Sequence, residues 1–380
     1  MRRNNISEKP LELRYLMTVA LAVASASASA QDVFTVPDSV ASDCSEDVTA
    51  QLASFIASLP DQSTIALGTE ACYRIDSILE TTGRLGLTIE GNGATFQAFT
   101  EGDRVRRHLS FTRGGNLTIR NLIVRGANPY AGTGDLAYRA DREAQHAFAF
   151  YGVQGAVLEQ VQAYDVFGDF VYISSTGSPR IDSTGIVVQQ SSFERNGRQC
   201  ITLISANDVT IRDNYIGDCR RSTFDFEPNS AAQVIQNVRI ENNVTGPGRL
   251  LWFASGGQSY QISDVTVVGN LASIPEGGRK PIGPVYIAAP ATGRKGPFTF
   301  AGNSWMVAGP YSGGFFRFGR AIEVQIVGNQ VFSDVRAPAA VNLINAQYID
   351  VTNNVFHSAD AVFTVDDLSS DYFEQDNDIQ

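Results

Sequence analysis

Val209-Thr210-Ile211-Arg212-Asp213-Asn214 carries a strict pattern: an apolar residue, any residue, a second apolar residue, two further positions and an asparagine. The same pattern returns in the six-residue stretches that open at Val238, Val265, Phe298, Val324 and Ile349 and end on Asn243, Asn270, Asn303, Asn329 and Asn354. Further copies open at Leu87, Leu117, Ala156 and Ile186. The second apolar residues, from Ile89 to Val351, recur at intervals of 23 to 39 residues. Alternation of this kind marks a strand with one buried face. Most of these intervals are too short for a parallel unit with a crossover helix. The copies therefore read as stacked coils of an all-β solenoid. In such a stack the six asparagines occupy one turn position, where side-chain amides can bond up and down the coil and satisfy the bent backbone. The Asn243-Val244-Thr245 sequon would then point inward and escape glycosylation.

A second set of strands lies between the copies: Leu109–Phe111, Phe148–Phe150, Val171–Ile173, Ile201–Leu203, Phe224–Phe226, Leu251–Phe253, Val285–Ile287, Phe316–Phe318 and Val341–Leu343. Their flanking apolar residues face the core, so the middle residues point outward and align. That row reads Ser110, Ala149, Tyr172, Thr202, Asp225, Trp252, Tyr286, Arg317, Asn342. A solenoid exposes core at its ends and needs caps. Residues 47–59 supply one, a helix with Val48, Leu52, Phe55, Ile56 and Leu59 on one face, Asp47 or Ser45 as N-cap and Pro60 beyond the end. Residues 366–380, rich in Asp and free of the repeat, read as an acidic tail or loose cap.

The entry stretch resembles that of the pectate-lyase-like superfamily of right-handed parallel β-helices. The resemblance rests on the helix Asp47–Leu59, on Ser63-Thr64-Ile65-Ala66-Leu67 and Ala71-Cys72-Tyr73-Arg74-Ile75, and on the run Leu87 to Phe96. It spans about residues 44–365 and implies a right-handed coil of about ten turns and a carbohydrate ligand. Fold alone does not assign a reaction. Residues 31–365 hold no Asp-Asp pair, no Gly-His-Gly and no Arg-x-Pro-x-x-Arg, so the superfamily's polygalacturonase acids and pectate-lyase arginine are not carried over to this sequence. Phe224-Asp225-Phe226-Glu227-Pro228 is similar to the Asp-Pro-His-Glu motif of alginate epimerases but lacks its histidine.

Residues 1–30 have the build of a secretory signal: Arg2, Arg3, Lys9 and Arg14, then apolar Leu16–Ala24, then the small run Ser25–Ala30. The apolar run is short for a membrane span. The formal charge is minus 11. Residues 1–30 carry four basic and two acidic groups, which leaves the remainder at minus 13. Such a balance disfavours nucleic acid as a partner. Four cysteines in an exported chain suggest two disulfides, with Cys44–Cys72 and Cys200–Cys219 the local pairing among three possible; four buried thiols are the alternative. The domain layout is then a signal peptide over 1–30, a coil domain over 31–365 with its capping helix, and the tail.

The chemistry concentrates around one strand. Asp225 and Glu227, two apart, point into one groove with Cα atoms roughly 6.5 to 7 Å apart. Glycoside hydrolysis uses such a pair, one acid to protonate the leaving oxygen and one carboxylate to activate water or attack, and this separation points to inversion. The neighbouring charge raises one of the two pKa values. Asp169 is a third acid two coils away. The alternatives for these carboxylates are a surface ladder pair or a Ca²⁺ site that includes Asp169. No other cofactor is implied. Arg198 and the pair Arg220-Arg221 precede groove strands and would rim the acids. His146, which closes an insertion over 127–145, reads as an acid or base or as a plain surface histidine; His108 and His357 have no comparable company. Tyr172, Thr202, Trp252, Tyr286 and Arg317 form a row of sugar subsites or merely brace the rungs. The insertion, with Tyr138 and Glu143, forms one wall, and the loops 273–283 and 289–297, with Arg279, Lys280, Arg294 and Lys295, form another.

These residues point to a secreted polysaccharide-degrading hydrolase. The alternatives are a lyase on a uronic-acid polymer, with Tyr172 or His146 as base and Arg198 or Ca²⁺ on the carboxylate, and a non-catalytic glycan-binding adhesin. If the signal reading is right, amino-terminal sequencing of the exported protein begins at Gln31; a start at Met1 would contradict it.

Overall fold

In the computed structural model, which describes residues 32–274, 283–308 and 314–380 of the chain, one short helix accompanies three long parallel sheets. Sheets A and B have 13 strands each and sheet C has 11. In each, a strand pairs with its equivalent one coil earlier and one coil later. The chain visits the sheets in rotation, which makes a right-handed parallel β-helix. All ten sequence copies lie in sheet A, paired in the expected register: Val209 with Val238, Val238 with Val265, Val324 with Ile349. Sheet A gains three strands that the repeat did not mark, Val33–Thr35, Thr64–Ala66 and Ser370–Gln375. The core is a single column of Val, Ile, Leu and Phe side chains, with rings such as Phe111 and Phe150 stacked at 5.4 Å.

The asparagine column forms as expected. Each Nδ2 donates to the Oδ1 of the next rung, from Asn214 to Asn243 at 3.0 Å through to Asn329 and Asn354 at 3.0 Å. Each Oδ1 also accepts a backbone N–H, as Asn270 Oδ1 does from Asn243 N at 2.9 Å. The column is capped by Ser191, whose N–H donates to Asn214 Oδ1, and it continues to Asn377. The residue before each rung adopts a left-handed backbone, for instance Asp213 with φ 57°, Asn242 with 52° and Gly269 with 67°. Asp, Asn and Gly tolerate that region best, which accounts for their recurrence there. Asn243 is fully buried, so the sequon side chain faces the core.

Both disulfides are the local ones, Cys44–Cys72 and Cys200–Cys219. The capping helix spans Thr49–Ser58 and buries Leu52 and Ile56, with Val48 beneath them. Its N-cap position is held by Val48 rather than Asp47 or Ser45. Valine cannot accept a hydrogen bond, and Asp47 Oδ1 instead takes the Thr49 N–H at 3.0 Å from one residue further back.

The reading of 366–380 as a tail is corrected. Ser370–Gln375 pairs with Gln347–Thr352, Asp378–Ile379 pairs with Val355–Phe356, and Asn377 is the last rung of the ladder. This coil lacks apolar alternation because most of its side chains are exposed, so the pattern had nothing to show. The coil domain therefore runs past residue 365 to the last residues. The signal segment 1–30 lies outside the described residues.

Asn270→Ala strips Oδ1 from Asn243 N and Nδ2 and a donor from Ile240 O and Asn303 Oδ1, all within the core. Stranding several buried polar groups costs on the order of 2–4 kcal/mol. Urea unfolding should show that loss as a lower midpoint, whereas Gln236→Ala, at an exposed strand position outside the ladder, should change it by less than about 1 kcal/mol.

Candidate active site

Sheet C carries the outward row. Backbone register aligns Ser110, Ala149, Tyr172, Thr202 and Asp225 as expected. At the next coil it departs, because Phe224 pairs with Phe253 and Asp225 with Ala254. The strand starts two residues later than the sequence suggested, and Trp252 turns inward. It is 2% exposed, packs edge-on against Phe224 and Trp305, and donates its indole N–H to Thr245 Oγ1 at 2.8 Å. Trp252 is a core residue and no subsite. The row resumes with Tyr286, Arg317 and Asn342, all half-buried.

The acids converge on one guanidinium. Arg198 Nη1 donates to Asp169 Oδ2 at 2.7 Å and Nη2 to Glu227 Oε2 at 3.2 Å, while Nε faces Glu143 Oε2 at 3.7 Å. Gln199, beside it, donates its backbone N–H to Asp169 Oδ1 at 3.1 Å and its amide to Asp225 Oδ2 at 2.6 Å. One dipeptide thus ties Asp169 of the preceding coil to Asp225 and Glu227 of the following one. Sequence reading found Arg198 and missed Gln199; its adjacency to Arg198 before a groove strand was the only signal. Thr202 lies at the floor of the row, fully buried, with its hydroxyl beside Asp169.

Burial sets the charges. Asp225 is 6% exposed, and desolvation together with the charge of Glu227 raises its pKa to about 7 against the opposing pull of Gln199 and Arg198. Asp169 has no exposed surface, and desolvation raises it to about 6 even though Arg198 lies 2.7 Å away. Glu227 keeps two-fifths of its side chain exposed. His146 is 3% exposed and lies flat against Tyr172, ring centroids 4.4 Å apart, with Nδ1 accepting the Asp169 N–H at 3.1 Å. Burial and nearby arginines hold its pKa well below the usual value. It is neither a surface histidine nor a group that charges near neutrality; it braces Tyr172. The Tyr172 phenol is itself pushed up to about 12 by burial and by Asp169.

The insertion 127–145 forms the expected wall. Asp135 anchors it through Arg249 at 2.7 Å and Arg220 at 3.4 Å, and the Arg221 guanidinium lies 5.5 Å over the Tyr138 ring. Arg220 and Arg221 therefore hold the wall instead of rimming the acids. Tyr138 donates its hydroxyl to Glu143, which delivers that carboxylate to Arg198. The opposite, basic wall does not form from Arg294 and Lys295. Arg294 donates to the backbone and side chain of Asn345. Lys295 is fully buried, with Nζ on the carbonyls of Ser255 and Gly256, and burial lowers its pKa to about 7. Arg279 and Lys280 lie outside the described residues. Among the described residues no group of three or more His, Cys, Asp or Glu side chains gathers as a metal site, and the Arg198 guanidinium lies between Asp169 and Glu227 where the calcium reading would put its ion.

Residues 107–278 match the family model described as a right-handed beta helix region. No curated protein matches the chain in sequence. Among solved structures it is similar to PfbA, a surface adhesin of Streptococcus pneumoniae, at 12% identity over 91% of this chain and 90% of that one, TM-score 0.62. It is similar to a DFA-IIIase of Arthrobacter chlorophenolicus A6 without its lid, at 12% identity over 92% and 99%, TM-score 0.62. It is also similar to the A-module of the mannuronan C-5 epimerase AlgE6 of Azotobacter vinelandii, at 14% identity over 91% and 94%, TM-score 0.64. At these identities the likeness is one of fold.

Asp225 binds its proton more tightly folded, at about 7, than unfolded, at about 3.9. Its stabilising effect is full below the unfolded value and lost as the pH rises through about 7. Asp225→Asn should therefore be more stable than the parent at pH 8, by on the order of 2 kcal/mol, and indistinguishable from it near pH 3.5. Thermal melts across that range check both ends. His108, buried with both ring nitrogens unpartnered, and His146 act oppositely: their depressed values remove stability as the pH falls below about 6.5.

Proposed function

Given that the chain is a right-handed parallel β-helix protein, we propose that it is a secreted polysaccharide-degrading glycoside hydrolase whose acid and base are Asp225 and Glu227. The observation that carries this reading is the split environment of the pair. Asp225 is buried, shares a bond with Gln199 and holds its proton to about pH 7; Glu227 is exposed and paired with Arg198. A carboxyl that keeps its proton to about pH 7 beside an exposed, arginine-paired carboxylate supports a division into acid and base.

In this mechanism Asp225 passes its proton to the glycosidic oxygen as the bond to the anomeric carbon breaks. Glu227 takes a proton from the water that adds to that carbon. Asp169, fully buried, cannot reach a sugar and acts as a positioning residue that holds Arg198. Tyr172 and Tyr286 offer ring faces to sugars on either side of the cleaved bond. The elimination reading has less support: burial pushes the Tyr172 phenol up to about 12, and His146 Nδ1 already accepts a backbone N–H. An adhesin could use the same row without cutting, and it would have no use for a buried acid with a raised pKa.

A panel of polysaccharides incubated with the purified protein, read for reducing ends and for ultraviolet absorbance, tests the class. New reducing ends without absorbance are expected; absorbing products would mean a lyase, and binding without either would mean an adhesin. On the polymer that is cut, Asp225→Asn and Glu227→Gln should each lose about 10²–10⁴ of the rate. Parent activity should decline above pH 7 as Asp225 loses its proton. Full activity in both variants would overturn the assignment.

A further inference from the structure

We propose that the groove takes an uncharged polysaccharide at the cleavage point, one whose sugars carry hydroxyls and no carboxylate. This rests on the groove being a glycan site, as argued above, and it narrows the substrate class.

The first observation is that the cations near the acids are already committed. Arg198 directs its three donor groups at Asp169, Glu227 and Glu143. Arg220 and Arg249 meet Asp135, Arg221 lies over Tyr138, and Arg107 lies 4.7 Å over the Tyr151 ring. Lys295 is sealed on two backbone carbonyls. A uronate arriving beside Asp225 would face Glu227 and Glu143, whose side chains are 41% and 36% exposed, and among the described residues the cations nearby are already held by a carboxylate, a ring or backbone carbonyls. Arg317 is the row's cation with no carboxylate within ion-pair reach, and it stands three coils from Asp225, roughly 14 Å along the stack. That is beyond a Debye length at physiological salt.

The second observation concerns what the groove lacks. The groups it presents beside Asp225 are acceptors, the exposed carboxylate oxygens of Glu143 and Glu227. Gln199, whose amide N–H is given to Asp225, is buried and offers no donor to a ligand. Such a surface needs donors. Sugar hydroxyls supply them, whereas a carboxylate supplies none. Positive charge is not required, because Arg198 offsets one carboxylate and Asp225 holds its proton on the acid side of neutrality.

Affinity gel electrophoresis of the full chain tests this without relying on catalysis. The gels would contain neutral polymers (a β-glucan, a mannan, an inulin-type fructan), polyuronates (polygalacturonate, alginate) or chitosan, each at about 20 and about 150 mM salt. Retardation by a neutral polymer, changing less than two-fold with salt, is expected. Any polyuronate binding should be at least ten-fold weaker and should vanish in Arg317→Gln. Glu227→Gln frees a donor of Arg198 and should raise polyuronate binding several-fold. Polyuronate binding that matches the neutral polymers or survives Arg317→Gln, binding of chitosan alone, or retardation by none of the polymers overturns the proposal. If a neutral polymer binds and no reducing ends appear, the hydrolase reading fails and this inference stands.

Discussion

Parallel backbone pairing between successive coils is the constraint from which the rest follows. Once Val209 is paired with Val238 and Val238 with Val265, every other position in the coil is placed by stacking at about 4.8 Å. Interior positions become a core column, turn positions become the asparagine ladder, and outward positions of sheet C become a groove. The ladder makes the stacking specific. A coil displaced by one residue would put Gly269 or Leu271 where Asn270 now answers Asn243 and Asn303, and would strand buried N–H groups on both sides. Register here is enforced by polar satisfaction as much as by apolar contact.

The same stacking creates the chemistry. Asp169, Gln199 and Asp225 are distant in sequence and adjacent in space only because each enters sheet C on a successive coil. Packing them under neighbouring side chains and the 127–145 wall removes water, and that desolvation raises both aspartates. The arrangement works against stability at neutral pH, where the fold must keep acids in a medium that disfavours their charge. Arg198 is the partial remedy: it stabilises Asp169 and Glu227 and leaves Asp225, bonded to the neutral Gln199, as the group free to hold a proton.

How much of this the sequence disclosed follows from how far each feature repeats. The strands of sheet A, the six asparagines and the local disulfides recur or pair over short distances, and a single chain is enough to see them. Asp225, Glu227, Asp169 and Arg198 were also legible, because they lie next to recurring strands. Trp252 was misplaced although the spacing holds, Tyr215 pairing with Val244 and Phe224 with Phe253 at one constant offset: Leu251-Trp252-Phe253 shows the apolar alternation that the true strand, Phe253-Ala254-Ser255, lacks, and it drew the register two residues early. The last coil was missed because exposed faces carry no alternation. Gln199 was missed, and Lys295 was misassigned to a groove wall, for another reason. A glutamine on a carboxylate and a lysine on two carbonyls are contacts between coils, and no periodicity in one strand encodes them.

The correction at Trp252 also bears on how such a groove acquires its specificity. Replacing a supposed tryptophan by Ala254 removes the bulkiest side chain from the position next to Asp225 and leaves the floor there low and open. The nearest rings are then Tyr172, two coils before Asp225, and Tyr286, two coils after it. A sugar over Asp225 would be held by its neighbours' stacking while its own hydroxyls meet the exposed carboxylates of Glu227 and Glu143. Outward residues of a solenoid contribute little to its core, so they can change from alanine to aspartate or tyrosine without disturbing the register. A surface adhesin and carbohydrate enzymes can therefore share this coil at about 12% identity. Function in this chain has to be read from the handful of side chains that Arg198 and Gln199 gather, because the coil itself is indifferent to them.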